Sequence, residues 1–352
     1  MKPIIKWAGG KEKELPIIKD NLPSSIKRYI EPFVGGGSVV LGLEQNNNCI
    51  NDKSKELIDF YNCIKADDEV FFKEINKLYI SFRKIDDLID KNHSEIIDLF
   101  NDIISIDTFI SNHTKELKLI GSIKCDIFHQ ELQKNLLSKI KRTKKIAKQK
   151  GQIDSKDIFE NIEASIKSAY YMTIRYIYNT NNKTNKSKNS AYFYFIREYC
   201  YSSMFRYNKK GMFNVPYGGI SYNRKNFKNK IEYINSFDLK KQLNKCEIYN
   251  LDFEEFFNKI NPQKNDFIFL DPPYDTDFST YSRNEFGQEE QIRLCNYLKE
   301  TKANIMMIIK NTPFIYNLYK DDFNISSFDK TYLVSFKNRN DREVKHLIIT
   351  NY

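Results

Sequence analysis

The alternation of apolar and polar residues divides the chain into two α/β regions with a long helical region between them. Near the N-terminus, the apolar run Tyr29–Val34 is followed by a glycine turn, an amphipathic stretch over Ser38–Gln45 and a second short run, Cys49–Asp52. This order of strand, helix and strand is typical of the start of a doubly wound sheet. Further apolar runs predict buried strands at 247–251, 267–270, 305–309 and 346–350.

Between these regions, residues 65–165 carry apolar side chains at helical spacing, with few glycines or prolines. The composition changes over 192–222, where eleven residues are aromatic and are interleaved with arginine and lysine. The pattern therefore predicts an α/β domain that is discontinuous in sequence, formed by 1–64 and 236–352. A mostly helical insert is expected at 65–235.

The net charge narrows the choice of partners. The 352 residues contain 56 Lys plus Arg against 46 Asp plus Glu, which gives a formal charge of +10. This sign favours an anionic partner, nucleic acid more than a membrane surface, although a Lys-rich genome would give the same excess. The acid-free basic run at 139–150 has two explanations, a contact to DNA phosphates or a solvated helix face.

The cysteines and histidines give no sign of a metal site. Six cysteines and four histidines are scattered without Cys-x-x-Cys spacing, so no metal is expected, and the cysteines are interpreted as small apolar residues in a reducing compartment. The N-terminal apolar run is interrupted at once, and no segment reaches the roughly 20 apolar residues of a membrane span. We therefore expect a soluble, cytoplasmic protein with no membrane contact.

The tetrapeptide Asp271-Pro272-Pro273-Tyr274 directly follows the predicted strand 267–270. An aromatic amine is a poor nucleophile because its nitrogen lone pair is delocalised into the ring. A carboxylate and a backbone carbonyl that accept both amino hydrogens favour a pyramidal nitrogen with a directed lone pair. Asp271 supplies such a carboxylate, Pro272 a carbonyl in stiff backbone, and Tyr274 a flat face for stacking a base. The structural alternative is a proline turn that ends a strand.

A second candidate site is the loop Phe33-Val34-Gly35-Gly36-Gly37-Ser38. Its glycines allow a tight turn and a close approach to a ligand at the start of a helix. Asp52, after the next predicted strand, is placed where an acid can hold ribose hydroxyls. The spacing is neither the three-glycine dinucleotide pattern nor a Walker sequence. These features together predict a nucleoside-containing cofactor, whereas a glycine turn alone also fits a purely structural role.

On six motifs taken in order, the chain resembles the Dam-type (D12 class) N6-adenine-specific DNA methyltransferases. The motifs are Lys6–Lys11, Glu31–Ser38, Asp52, Arg206–Asn208, Phe213–Pro216 and Asp271–Tyr274. The resemblance covers roughly 2–63 and 190–352. It implies a Rossmann-like S-adenosylmethionine-dependent methyltransferase sheet, a mostly helical inserted DNA-recognition domain, and methyl transfer to N6 of a flipped adenine in double-stranded DNA.

The resemblance also implies individual site residues. In the family, Asp252-Phe253 resembles the pair that contacts the cofactor's adenine ring, and 190–230 resembles the target-recognition hairpin. The expected cofactor-binding residues are Trp7, Lys11, Phe33, Gly35, Gly37, Ser38, Asp52, Asp252, Phe253 and Asp271. The expected catalytic residues are Asp271, Pro272, Pro273 and Tyr274. The expected DNA-binding residues are Tyr201, which would insert into the duplex, Met204, Arg206, Asn208 and Pro216. An arginine at 206 also suits a bidentate contact to guanine.

Two positions depart from the family members that read GATC. Those enzymes usually have Asn where this chain has Ser202, and often Arg where it has Gly219, so two possible DNA contacts are missing. Two alternative functions stay open: methylation of another planar amine (adenine in RNA, cytosine N4 or a protein side-chain amide) and a non-catalytic DNA-binding scaffold subunit. The expected partners are double-stranded DNA and, in a restriction-modification system rather than an orphan enzyme, a cognate restriction endonuclease.

Overall fold

A computed structural model describes residues 1–121, 124–151, 153–181, 184–273, 286–331 and 343–352. Within them the strands are β1 Tyr29–Glu31, β2 Asn48–Asn51, β3 Cys246–Tyr249, β4 Phe267–Leu270, β5 Asn304–Lys310, β6 Asn324–Thr331 and β7 Glu343–Thr350. They form one sheet in the order β3-β2-β1-β4-β5-β7-β6. Strands β1 to β5 are parallel, and β7 is antiparallel to both of its neighbours. The protein is therefore α/β, with a mixed, mostly parallel sheet.

The helices, in chain order, are α1 Leu15–Asp20, α2 Ser38–Leu43, α3 Lys55–Lys65, α4 Glu69–Lys91, α5 His93–Phe100, α6 Ile106–Asn112, α7 Thr114–Ile120, α8 Cys125–Lys150, α9 Ser155–Thr180, α10 Lys186–Tyr199, α11 Lys228–Ile234, α12 Phe237–Asn244, α13 Phe253–Ile260, α14 Gln288–Glu300 and α15 Pro313–Tyr319. None of the described helices is both long enough and apolar enough to cross a bilayer.

The strands predicted from apolar runs are confirmed, with shifted bounds. Strand β1 ends at Glu31 rather than at Val34, because Pro32 has no N–H for the ladder and the glycine turn follows. Strand β4 and the middle of β5 are buried along their length, which is why they are continuous apolar runs in the sequence. The edge strand β6 is mostly polar instead, and Ile325 and Phe328 are its apolar residues.

The chain forms two compact units. The first comprises Met1–Ala66 and Ser236–Tyr352 and contains the sheet; the second comprises Asp67–Asn235 and is mostly helical. The helical region predicted at 65–165 is confirmed by α4 to α9. The basic run at 139–150 forms the C-terminal part of α8, where most of its described side chains are exposed.

In the first unit, α13, α14 and α15 cover one face of the sheet. Their apolar side chains pack with those of β4 and β5 in a core that includes Phe256, Leu294, Leu270 and Met307, each fully buried. Burial of such side chains contributes roughly 1.5–3 kcal/mol each.

The carboxyl ends of β1, β2 and β3 are held together by Asn51, whose amide donates to the carbonyls of Pro32 (3.0 Å) and Leu251 (3.1 Å). Asn51 therefore joins the segments that leave these three strands, and the candidate site lies at this edge of the sheet.

The second unit is built on the long helices α4, α8, α9 and α10, which pack around aromatic side chains. Phe82 lies 4.3 Å from Tyr199 and 5.6 Å from Phe195, measured between ring centroids. Lys167 is fully buried on α9 and pairs with Asp86 and Glu163. The aromatic residues that are dense over 192–222 therefore serve largely as core.

Candidate functional site

The order of the strands places a crevice between β1 and β4. The chain crosses from β1 to β2 in one direction and from β4 to β5 in the other, so the two neighbouring strands lead away from each other. Ligands of open α/β sheets bind at this kind of switch point, outside the carboxyl ends of the strands. The glycine loop leaves β1 here, and Asp271-Pro272-Pro273 leaves β4 here.

The glycine loop has room for glycine only. Gly35 has φ +50°, and a Cβ there would lie 2.8 Å from Cδ1 of Trp7. A Cβ on Gly36 would lie 2.4 Å from the Ile5 carbonyl oxygen, and Gly37, the N-cap of α2, has φ +80°. Real Cβ atoms do not approach so closely, so any other residue would displace the N-terminal segment. The loop and the Trp7 ring thus form one closely packed wall.

A buried lysine pairs with the acid of the tetrapeptide. Lys11 is 1% exposed, and its Nζ donates to Oδ1 of Asp271 and, at 2.9 Å, to the carbonyl of Gly9. Gly9 itself has φ +79°, which lets its backbone pass Asp271 closely. Asp271 keeps 17% of its side chain exposed. The Lys11 ammonium therefore fixes one side of a carboxylate that stays partly exposed.

Asp52 directly follows β2, the strand next to β1, and its carboxylate binds the backbone of the glycine loop. Its Oδ2 accepts from the Gly35 N–H at 3.1 Å and its Oδ1 from the Ser54 N–H at 2.9 Å. Burial raises the pKa of Asp52 to about 6, against the lowering effect of these two bonds. The side chain is still partly exposed, and a carboxylate has about four acceptor positions, so it can accept further donors from a ligand.

Glu31 lies beneath the site as a second, fully buried acid. Its Oε2 accepts from the Tyr29 hydroxyl at 2.7 Å and from the Val40 N–H at 3.1 Å. Burial raises the pKa of Glu31 to about 8, and the charges of Asp271 and Lys11 also act on it. This raised pKa favours the neutral form of the buried Glu31 carboxyl.

The backbone of the tetrapeptide is held by Gln291, a residue that the sequence did not indicate. Pro272 is buried and Pro273 is exposed. The amide of Gln291, which is fully buried on α14, donates to the Pro273 carbonyl at 3.0 Å. Tyr274 lies outside the described residues. Gln291 thus fixes the course of the backbone beside Asp271.

Three aromatic rings form a cluster beside the glycine loop. Phe33 lies 5.9 Å from Phe253 and 5.5 Å, edge to face, from Phe286. Phe253 is 3% exposed, whereas Phe33 is partly exposed. The Arg293 guanidinium stacks on Phe253 at 4.2 Å and holds both oxygens of Asp252 at 2.9 Å. Burial alone would raise the pKa of Asp252, but Arg293 lowers it.

In the second unit, the expected DNA-binding residues lie together on one hairpin. Antiparallel bridges join Cys200 to Tyr217 and Tyr207 to Phe213. Its turn is closed by Asn208, whose Oδ1 accepts from the N–H groups of Lys210 and Met212, both at 3.0 Å. The side-chain oxygen of Asn208 therefore shapes the turn.

Side chains on the two arms of this hairpin are accessible. Tyr201 is 52% exposed, Pro216 is exposed, and Met204 is partly exposed. Nε of Arg206 donates to Oδ1 of Asn214 on the opposite arm at 2.9 Å, which orients the guanidinium. The backbone of Tyr201 is joined to that of Pro216 by a 2.9 Å hydrogen bond. These four residues thus lie on one hairpin, with side chains that are at least partly exposed.

The structure brings the expected site residues together in two groups. Trp7, Lys11, the glycine loop with Ser38, Asp52 and Asp271 lie at the carboxyl edge of the sheet, with Asp252 and Phe253 in the adjoining cluster. The hairpin residues form the other group. Sequence reasoning missed the supporting residues Glu31, Gln291 and Arg293; only Glu31 lies in a recognisable motif. Among the described residues, no cluster of three or more His, Cys, Asp or Glu side chains could hold a metal ion.

Comparison of the sequence with known proteins finds a matching family and several similar chains. The chain matches the profile of the family described as D12 class N6 adenine-specific DNA methyltransferase over residues 7–129 and 82–334. It is 28% identical to Type II methyltransferase M.CviBI of Paramecium bursaria Chlorella virus NC1A, over 100% of both chains. It is 25% identical to Type II methyltransferase M.MjaIII of Methanocaldococcus jannaschii, over 100% of this chain and 99% of the other. With the DNA adenine methylase of Haemophilus influenzae the identity is 22%, over 90% and 82%.

Proposed function

Because the chain belongs to the D12 class of N6-adenine-specific DNA methyltransferases, we propose that it transfers a methyl group from S-adenosylmethionine to N6 of a flipped adenine at a specific site in duplex DNA. The observation that carries this proposal is that Asp271 and Pro272 lie at the switch point of the sheet, beside the glycine loop. The carboxylate of Asp271 is paired there with Lys11. An acceptor pair next to a tight backbone cradle suits an amine and a nucleoside cofactor.

In the proposed mechanism, Asp271 accepts one hydrogen of the adenine N6 amine and the Pro272 carbonyl accepts the other. This arrangement draws the nitrogen lone pair out of conjugation and directs it to the methyl donor. When bound, S-adenosylmethionine would supply a methyl group activated by its sulfonium, and the sulfur would leave as a neutral thioether when its bond to the methyl carbon breaks. As the N–C bond forms, Asp271 is placed to take the proton that N6 loses, and Lys11 keeps that carboxylate in position.

The residues at the edge of the sheet fit such a cofactor. A Cβ at Gly35, Gly36 or Gly37 would collide with Trp7, Ile5 or Tyr61, so the loop keeps a tight glycine turn, and such a turn lets the backbone approach a ligand closely. Asp52 has acceptor positions available for ribose hydroxyls, and Phe33 offers a partly exposed ring for an adenine. We propose Trp7, Lys11, Phe33, Gly35, Gly37, Ser38, Asp52, Asp252, Phe253 and Asp271 as the cofactor-binding set. In this set Phe253 and Asp252 act mainly as support, because Phe253 is buried and Arg293 holds Asp252.

We further propose that 1–64 and 236–352 form the Rossmann-like catalytic domain and that 65–235 is an inserted DNA-recognition domain. The grouping of Tyr201, Met204, Arg206 and Pro216 on one accessible hairpin supports this division. An exposed aromatic side chain suits insertion into a base stack, and an oriented arginine suits base readout in the major groove. The hairpin is joined to the aromatic core at Tyr199, whose carbonyl accepts from the Gly218 N–H at 2.9 Å. Phe82 packs on Tyr199 and on Phe195 in this core.

The proposed function is tested by expressing the chain in a host that lacks DNA methylation and mapping modified bases by single-molecule sequencing. N6-methyladenine is expected at one short sequence, and purified protein should transfer label from S-adenosylmethionine to DNA but not to RNA or protein. Label in RNA, on protein or on cytosine N4 would favour another planar amine. Absence of transfer and of cofactor binding by calorimetry would favour a non-catalytic DNA-binding scaffold.

A change at Asp52 tests the cofactor assignment. We expect Asp52→Asn to weaken S-adenosylmethionine binding by roughly tenfold to a hundredfold, because hydrogen bonds to a charged group contribute about 1.5–3 kcal/mol. Since the pKa of Asp52 is about 6 and the ribose needs the charged acceptor, wild-type affinity should fall as the pH drops below 6. The Asn variant should lack this part of the pH dependence. Calorimetric titration from pH 5 to 8 measures both effects, with Asp59→Asn on α3 as the matched control; equal affinity for wild type and Asp52→Asn would contradict the assignment.

The relatives named Type II methyltransferases align with the whole chain, and on this ground we propose a modification enzyme of a restriction-modification pair. A cognate restriction endonuclease would then cut the sequence that this chain methylates. DNA isolated from expressing cells is expected to resist that nuclease at every mapped site.

A further inference from the structure

The loop that carries Tyr201 has an unusual backbone. Ser202 has φ +52° and ψ +20°, and Ser203 has φ +51°. Left-handed conformations are uncommon for residues with a Cβ, and two in succession are rarer still. Such a conformation persists only where its surroundings hold it, and it is found mostly at functional sites.

The residue that holds this backbone is Arg197, in the last turn of α10. Its side chain is 2% exposed. Its Nη1 donates to the carbonyl of Ser203 at 3.0 Å and to that of Met204 at 2.7 Å, and its guanidinium lies 4.8 Å from the Phe205 ring. A planar guanidinium with a fixed fork of donors can hold two successive carbonyls and stack on a ring at the same time.

The remaining backbone of the loop is also held. The Tyr201 N–H donates to the Pro216 carbonyl at 2.9 Å, and Cys200 before it is fully buried. The next helical residue, Glu198, is buried and accepts from Lys225 (2.9 Å) and Lys230 (2.5 Å), where the chain returns from the hairpin. The backbone on both sides of Tyr201 is therefore secured, while its ring is half exposed.

We propose that Arg197 is a positioning residue for target-base flipping: it holds the Tyr201 loop in the shape in which the tyrosine enters the duplex as the adenine leaves it. This inference rests on the proposed function. A loop that is already ordered loses little conformational entropy on binding DNA. Because Arg197 is buried behind the loop, it acts through Tyr201 and not by its own contact to DNA.

The first test is Arg197→Lys, which keeps the charge but is shorter and has no planar group to stack on Phe205 while its nitrogen donates to the two carbonyls. On a duplex that carries the mapped site, we expect kcat/KM to fall roughly tenfold to a hundredfold, since a displacement of about 1 Å at a functional group can cost that much. Calorimetric affinity for S-adenosylmethionine should stay unchanged. Unchanged kcat/KM would overturn the proposal.

A second substrate separates positioning from general damage. When the target adenine faces an abasic site it is unpaired, and extruding it costs less. On this duplex Arg197→Lys should recover to within about threefold of wild type, whereas a merely structural defect would keep the full loss. In addition, the losses of Arg197→Lys and Tyr201→Ala should not multiply in the double variant, because both changes act on one step. Multiplicative losses would overturn the proposal.

The chain offers a matched control and a milder variant. Arg175 also donates to a hairpin carbonyl, that of Val215 at 2.9 Å, but Val215 keeps its bond from Tyr171; Arg175→Lys should lose little activity. Ser203→Val puts a β-branched residue at φ +51°, which strains the same loop from its surface, so it should show the Arg197→Lys pattern even if Arg197→Lys does not fold. If wild type itself fails to methylate DNA, the proposed function fails. If wild type methylates and both loop variants match it on the paired duplex, only the role of Arg197 fails.

Discussion

Replacement of Asp271 by Asn is expected to reduce kcat for methyl transfer by roughly a thousandfold, the scale of losing one well-placed electrostatic group at a transition state. The amide presents N–H groups where the adenine amine needs an acceptor, and it cannot take up the proton that N6 loses. Because Asp271 also belongs to the proposed cofactor-binding set, cofactor affinity should fall as well, but by much less than kcat, and the unfolding free energy should fall less than in Asp271→Ala. Single-turnover transfer, calorimetry and urea unfolding measure the three quantities.

Asn is the informative substitution because of Lys11. In Asp271→Asn the side-chain oxygen can still accept from the Lys11 ammonium, which is 1% exposed. In Asp271→Ala that ammonium would lose the hydrogen-bond acceptor as well as the counter-ion, and breaking a buried ion pair from one side typically costs about 3–5 kcal/mol. The Ala variant should therefore be inactive and also unstable. A kcat for Asp271→Asn within tenfold of wild type would contradict the proposed mechanism.

Gly36→Ala is expected to destabilise the first unit by roughly 2–4 kcal/mol, the range for a substitution that forces strain into a packed segment. The new Cβ would lie 2.4 Å from the Ile5 carbonyl oxygen, and backbone cannot rotate away as a side chain can. The Gly36 carbonyl also accepts from the Ile4 N–H at 3.0 Å, so the shift would pass to the segment that carries Trp7 and Lys11. S-adenosylmethionine binding should be lost with the stability.

The control for Gly36→Ala is Gly287→Ala, the N-cap of α14. Gly287 has φ −90°, and a Cβ there would meet no atom of the described residues within 4 Å. This variant should unfold at the wild-type urea concentration and bind cofactor normally. Equal stability of Gly36→Ala and Gly287→Ala would show that the N-terminal segment is not packed on the loop as described.

Much of the fold can be predicted from the sequence because its evidence is local. Strand β4 and the middle of β5 are buried in a mostly parallel sheet, so each is a short continuous apolar run. The left-handed turns of the glycine loop are visible as glycines, since few other residues adopt that backbone. The bounds were less accurate: Pro32 ends β1 earlier than apolarity alone suggests.

The supporting residues could not be predicted in this way. Gln291 reaches the Pro273 carbonyl from a helix 18 positions later, and Arg197 holds a loop whose left-handed backbone is built from serines. Neither has a local pattern that differs from an ordinary helical Gln or Arg. Even Asn208, expected from its motif to bind DNA, uses its side-chain oxygen to close the hairpin turn.

The tetrapeptide Asp271–Tyr274 shows which features of the site the sequence determines and which features only the tertiary structure decides. By itself the sequence determines the family, the reacting nitrogen and the residue types at the site, because acceptors, glycines and strand patterns are written in neighbouring positions. Only the tertiary structure decides that Lys11 meets Asp271 across 260 residues, that Glu31 is buried beneath them, and that Arg197 faces the Tyr201 loop. Those pairings depend on the order of strands and the packing of helices, and no local periodicity records them.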